Sequence, residues 1–197
     1  GWDPFNVTED ADLGLRLHRR GWRTGVIPST TYEEAPTQWR TWLRQRTRWI
    51  KGWMQTYIVH TRARTYAGTT PRLSTAIGVH VMMGSLLLSL LIHPWVYVLL
   101  VAELIAGHVF ARPQSMMGVV FWTLAVANFF SGFCASLALG AVTARRRGMR
   151  PLAGSVVTMP LYWLLISVAA YRAFWQLLQD PYRWEKTAHD AHPSTQS

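Results

Sequence analysis

The sequence predicts an α-helical membrane bundle, preceded by a short polar stretch and by an amphipathic helix at the bilayer surface. Three observations lead there. Residues 73–176 are mostly apolar, in runs close to the ~20 residues that a helix needs to cross a hydrocarbon core. Residues 1–72 are polar, basic and rich in tryptophan. Between the two, residues 37–56 interleave tryptophan and arginine at helical spacing. The 197 residues carry a net charge of +10 and are 50% hydrophobic. This asymmetry fits a membrane protein with a basic cytoplasmic part better than a soluble basic domain. The apolar runs also weigh against nucleic-acid binding, the other common meaning of a basic, aromatic chain. The single cysteine, Cys134, excludes an internal disulfide.

In chain order, residues 1–36 form the first part. Gly1 and Pro4 mark a loop over residues 1–7. Thr8 suits an N-cap, Glu9 and Asp10 suit the positive end of a helix dipole, and Ala11, Leu13, Leu15 and Leu17 continue a short helix. Gly21 suits the position just past its end. Residues 22–27 read as a strand closed by Pro28, with a second at Thr31-Tyr32 before a turn at residues 33–36.

Residues 37–72 hold the amphipathic helix and a linker, with Thr37 as the expected cap. Trp39, Trp42, Leu43, Ile50, Trp53 and Met54 make one apolar stripe, and Arg40, Arg44, Arg48 and Lys51 make a cationic stripe beside it. Such a helix lies flat at a headgroup boundary with its cations toward phosphate or water. Gln45, Arg48 and Trp49, spaced i, i+3, i+4, share one flank. They offer an amide, a cation that can grip a diphosphate, and a flat ring for a sugar. Standing alone, the stretch reads as a plain membrane-surface anchor.

From residue 73 the spans begin. Residues 76–92 and 95–110 are either two short spans parted at His93-Pro94 or one kinked long one; the His-Pro break and its polar flanks favour a turn, hence four helices in all rather than three. Residues 118–142 and 152–174 follow, parted by the Arg145–Arg150 cluster. Four crossings place that cluster outside, against the positive-inside rule; three place it inside and send the tail, residues 177–197, outward; a third arrangement tilts residues 145–158 into the interface as a short helix. His80, His93 and His108 are expected in packing or capping roles, Glu103 toward other helices or a water path, and Trp95, Trp122 and Trp163 as interface anchors. His189-x-x-His192 reads as part of a loose polar tail rather than a metal site.

Thr8-Glu9-Asp10 alone is weak evidence, because carboxylates in a first helical turn are usually structural. A catalytic meaning exists: such a carboxylate can take the proton of an attacking hydroxyl. The combination is far more specific. Thr8-Glu9-Asp10, the run through Trp22, then Gln45-Arg46-Thr47-Arg48-Trp49, then several spans, resembles the processive family 2 glycosyltransferases, the cellulose, hyaluronan and β-glucan synthases. Pro181–Thr187 is similar to a Trp-x-Lys-Thr element of some members. The resemblance implies that residues 1–36 end an α/β catalytic domain of the GT-A type, and that the chain is the C-terminal fragment of a hexosyltransferase, inactive by itself. It implies Asp10 as the base, with Glu9 and Thr8 beside it. It implies Gln45, Arg46, Arg48 and Trp49 at the acceptor end, with Arg48 on the leaving diphosphate and Trp49 under the terminal sugar. Trp184, Lys186 and Thr187 become a gating segment. Implied partners are a nucleotide-diphosphate sugar, a polysaccharide acceptor and the lipid bilayer, with no nucleic acid. The expected place is a bacterial inner or plasma membrane, spanned several times, with the catalytic part cytoplasmic. A divalent metal, Mg or Mn, is implied for the full-length enzyme; the family's metal-binding Asp-x-Asp motif and its uridine-binding aspartate lie upstream, outside this chain. The competing expectation is a non-enzymatic anchor or transport module whose basic helix holds anionic lipid.

Overall fold

The computed structural model describes residues 7–31, 33, 35–62, 73–108, 113–149, 154–183 and 185. Five helices run through them: α1 (Glu9–Arg19), α2 (Trp39–Arg62), α3 (Leu73–Ile105), α4 (Met116–Arg146) and α5 (Met159–Gln179), the last led in by a 3₁₀ turn at Ser155–Thr158. With their lead-in turn counted, α3, α4 and α5 are each long and apolar enough to cross a membrane.

Two expectations are corrected. Among the described residues there is no strand, so the α/β character expected of residues 1–36 is not seen. Residues 22–30 run as irregular, exposed chain, with Val26 99% and Ile27 78% exposed. A strand needs a ladder partner to satisfy its backbone, and among the described residues none stands beside residues 22–30. Tyr32, half of the second expected strand, lies outside the described residues.

The second correction concerns the turn at His93-Pro94. The helix continues through it, so residues 73–105 form one element of 33 residues. Pro94 cannot donate to the carbonyl one turn back, and its ring crowds the preceding turn. The carbonyl left without that donor is Leu90's; the neighbouring Leu91 carbonyl accepts from the Tyr171 hydroxyl, which ties this turn to α5. Nearer its start, α3 widens into a π turn at His80–Gly84. In α5, Pro160 falls in the first turn, where a missing N–H costs little.

Contacts divide the chain into two compact units. The first comprises the residues up to Leu91 together with those from Ile166 onward. Its core is small: Ile50 and Met54 of α2, Leu87 of α3, and Ala169, Ala170 and Ala173 of α5. Leu43, Trp53, Tyr57, Ile166 and Leu177 pack around it. The alanines, all fully buried, let helix backbones approach closely, as small residues do between membrane helices.

The second unit, Ile92–Leu165, is held by aromatic edges. His93 meets Tyr97 and Trp163 edge-on at 4.9 and 5.5 Å, and Phe133 meets Trp163 at 6.3 Å. No residue of α4 is buried. Such an apolar exterior suits a helix whose solvent is lipid. Of the three tryptophans expected as anchors, Trp95 and Trp122 are exposed and Trp163 is half-buried against His93 and Phe133. Glu103 sits near the end of α3 with His108 3.7 Å away, and both are exposed.

Candidate active site

A polar seam joins α1 to α2. Thr8 occupies the N-cap position of α1, yet its side chain makes no capping bond. Its hydroxyl pairs instead with that of Thr56 at 3.0 Å, and both residues are buried. The approach is close because position 52 is glycine: a Cβ there would stand 2.7 Å from Thr8 Cγ2. One turn along, buried Asp12 holds His60 Nε2 at 2.8 Å and Arg16 at 2.8 Å. Arg19 donates to the His60 carbonyl at 2.6 Å, satisfying an acceptor in the last turn of α2. Burial pushes the His60 imidazole below its usual range; the Asp12 bond opposes this, and Arg19 and Arg16 add to it. Past the end of α1, Gly21 adopts φ +83° while Gly21 and Trp22 donate to the His18 and Leu17 carbonyls, a Schellman ending.

The seam decides where Asp10 goes. Residues two apart on a helix face different ways. With Thr8 and Asp12 turned toward α2, Asp10 turns into a cavity of about 600 Å³. His18, Thr24, Trp53, Ser74 and Thr75 share that cavity with it, and Val79, Met82 and Met83 of α3 provide an apolar wall. Asp10 Oδ1 accepts the Ala11 N–H at 2.8 Å, and His18 Nε2 lies 3.4 Å from the Thr75 hydroxyl. Glu9 is exposed and outside the lining, and Thr8 is spent on the seam.

The Gln-Arg-x-Arg-Trp residues lie elsewhere. Arg46 and Trp49 line a second, smaller cavity of about 150 Å³. There the Arg46 guanidinium sits 4.6 Å from the centre of the Trp49 ring, a cation–π pair. Gln45 and Arg48 line neither of these two cavities. Trp53, one turn beyond Trp49, lines both cavities.

The cationic stripe is also corrected. Arg40 and Arg44 are exposed, but Lys51 is buried and points at protein, not at headgroups. Its Nζ donates to the Asp180 and Arg183 carbonyls, both at 2.9 Å, and Gln55 donates to the Pro181 carbonyl at 2.8 Å. Burial lowers the affinity of Lys51 for its proton, against the pull of Asp180 and Glu185; Arg183 adds to the lowering. Glu185 completes the clasp, accepting from Arg172 at 2.8 Å and from Gln176 at 3.1 Å. Burial raises the Glu185 carboxyl, but the Arg172 bond and charge, with Arg183 and Gln176, outweigh it and hold the group below its usual range. Trp184, Lys186 and Thr187, the expected gating residues, lie outside the described residues, as do His189 and His192.

Asp10-Ala11-Asp12 spells Asp-x-Asp, yet its two carboxylates part, one to the cavity and one to His60. Among the described residues no three metal-ligating side chains converge, so these residues do not fit a divalent metal. The cavity offers a carboxylate, hydroxyls, an imidazole and an indole. Sequence reasoning missed Asp12, His60 and Trp53 as builders of this region. The faint signals were the i, i+4 spacing of Asp12 and Arg16 and the glycine at position 52 inside a helix.

These features sit in a chain whose residues 1–178 match the family model described as Glycosyl transferase family group 2, and the chain belongs to that family. It is similar to the probable glycosyltransferase YdaM of Bacillus subtilis (strain 168), 40% identical over 53 residues, which is 26% of this chain and 13% of that protein. It is also similar to a beta-monoglucosyldiacylglycerol synthase of Synechocystis sp., 36% identical over 64 residues, 32% of this chain and 13% of that protein. The chain thus spans only 13% of the length of each of these relatives. No solved structure matches it.

Proposed function

We propose that the whole protein is a membrane-integrated glycosyltransferase that moves a hexosyl group from a nucleotide-diphosphate sugar to a growing polysaccharide, coupled to export, with its catalytic part on the cytoplasmic side. The observation that carries the reading is the Asp10 carboxylate, held by the α1–α2 seam in a cavity walled by an indole and hydroxyls. In the proposed step an acceptor hydroxyl gives its proton to Asp10 as its oxygen bonds the anomeric carbon. The bond from that carbon to the diphosphate breaks, and its electron pair leaves with the nucleotide. Family membership favours this over a lipid-holding anchor.

A glycerolipid acceptor is the second reading. The apolar wall of Val79, Met82 and Met83 would suit one, and one relative is named for a glucosyl-diacylglycerol product. Incubating the full-length protein in membrane vesicles with single nucleotide sugars tests both. A polymer supports the first reading, a sugar extracted with lipid the second, and release of neither product from any donor contradicts both.

A further inference from the structure

We propose that a groove between α2, α3 and α5 seats one acyl chain of an anionic phospholipid, whose phosphate is held at the mouth by Arg62 and the Tyr57–His80 pair. The lipid is a bound component, not the acceptor. The groove, of about 650 Å³, has no lining residue in common with the Asp10 cavity.

All of the groove belongs to the first compact unit. Met54 and Ile58 come from α2, Leu88 and Leu91 from α3, and Phe174 and Leu177 from α5. Leu88 is 58% and Phe174 43% exposed, on helices apolar enough to have hydrocarbon as their solvent. The polar groups gather at one end. The Tyr57 hydroxyl and His80 Nδ1 lie 2.9 Å apart, and Ser85 spends its hydroxyl on the Val81 carbonyl. The π turn at His80–Gly84 builds this end. Such widened turns are rare and frequent at functional positions. Gly84 admits the tyrosine: a Cβ there would stand 2.9 Å from the Tyr57 hydroxyl.

Length and charge name the occupant. Ser74 and Thr75, at the start of α3, share the Asp10 cavity, so the first turns of α3 stand on the polar side and His80 lies near the boundary. From His80 to Leu91 is eleven residues. At about 1.5 Å each this is about 16 Å, or about half of a ~30 Å hydrocarbon core, the depth of one leaflet. A single acyl chain fits that run, with its polar end at Tyr57 and His80. Arg62, exposed at the end of α2, follows the groove residue Ile58 by four positions and so continues its face. Cations at a bilayer surface draw anionic headgroups, and this chain carries a net charge of +10. A neutral lipid would leave that cation without a counter-charge.

The test uses full-length protein in phosphatidylcholine vesicles that contain phosphatidylglycerol with a diazirine in one acyl chain, or the same photolabel carried on phosphatidylcholine. After illumination, labelled peptides are located by mass spectrometry. With phosphatidylglycerol, residues 84–91 and 174–177 should be labelled more strongly than α4, which has no buried residue and reports bulk lipid. Leu88→Trp and Val81→Trp fill the groove at positions 58% and 64% exposed, where folding tolerates the larger ring, and each should bring labelling down to the level of α4. Arg62→Gln should need about fivefold more phosphatidylglycerol for the same labelling, equal to about 1 kcal/mol for one cation at a lipid surface. Arg62→Lys should stay near the parent. Labelling of the groove no stronger than that of α4, labelling unchanged in both filled variants, or equal labelling by the two headgroups each overturns the proposal. So does an unlabelled groove beside a labelled α4, which would mean that another segment of the protein covers it. Turnover is not read, so loss of the Asp10 assignment leaves this result standing, and the reverse.

Discussion

The two halves of α2 are built into the molecule by different chemistry. From Ile50 onward, Lys51, Gln55, Thr56 and His60 each end on a protein partner: the turn after α5, the Thr8 hydroxyl or the Asp12 carboxylate. Before Ile50, Trp39 stacks on Trp42 at 5.0 Å and stays half exposed. Gln45 Oε1, Arg46 Nε and Thr47 Oγ1 are out of contact with solvent and, among the described residues, meet no hydrogen-bond partner; Gln55 Oε1 in the second half shares that state. Buried polar atoms normally find partners, and those that do not call for an explanation. One periodic helix therefore does two jobs. Its second half holds α1 and the turn after α5, while its first half carries the exposed cations Arg40 and Arg44.

Substitutions can break that comparison. Lys51→Met removes both charge-assisted hydrogen bonds to the Asp180 and Arg183 carbonyls, and hydrogen bonds to charged groups contribute about 1.5–3 kcal/mol each. Thermal unfolding of the purified protein in micelles should show the largest loss of stability here, with Lys51→Arg milder. Gly52→Ala should come next, at about 1–3 kcal/mol for overpacking against Thr8. Adding Thr8→Ala should recover part of that loss, and strict additivity in the double mutant would contradict the contact.

A pH titration sharpens the same contrast. His60 is held below its ordinary 6.5, so below that pH the unfolded chain binds more protons than the folded one. This contribution to stability is therefore full above about pH 6.5 and is lost as pH falls toward the depressed value. The slope of stability against pH in that window is at most about 1.4 kcal/mol per pH unit, the limit for one proton. His60→Gln should flatten that part of the stability curve. The smallest structural effect is expected in the first half of the helix. Gln45→Ala should change melting by no more than about 0.5 kcal/mol, while altering the kinetics of sugar transfer. A large melting change there would erase the distinction between the halves.

Much of this was legible in the sequence, for physical reasons. The helices of residues 9–19 and 39–62 follow from periodicity, and Gly21 closes the first as its type suggests. Apolar length alone marked the long helices. The rest depended on tertiary partners. A proline with its polar neighbour looked like a turn, yet the helix propagates on either side and carries α3 through it. Lys51 had the spacing of a solvated cation, and only the arrival of residues 180–183, remote in sequence, turns it inward. Counting three crossings would send the tail to the opposite face from α2, whereas Lys51 and Gln55 hold its first residues against α2. For the site, the motif named Asp10 and Trp49, but nothing local could show that Trp53 is the indole sharing a cavity with Asp10.

The base assignment is tested most directly by the turnover of Asp10→Asn in the full-length protein, assayed in vesicles with the donor that supports transfer and with membrane insertion checked by protease protection. A loss of about 10²–10⁴-fold at unchanged insertion is the expected result for a general base. Turnover at the parental rate would show that this carboxylate takes no proton in the reaction and would contradict the account.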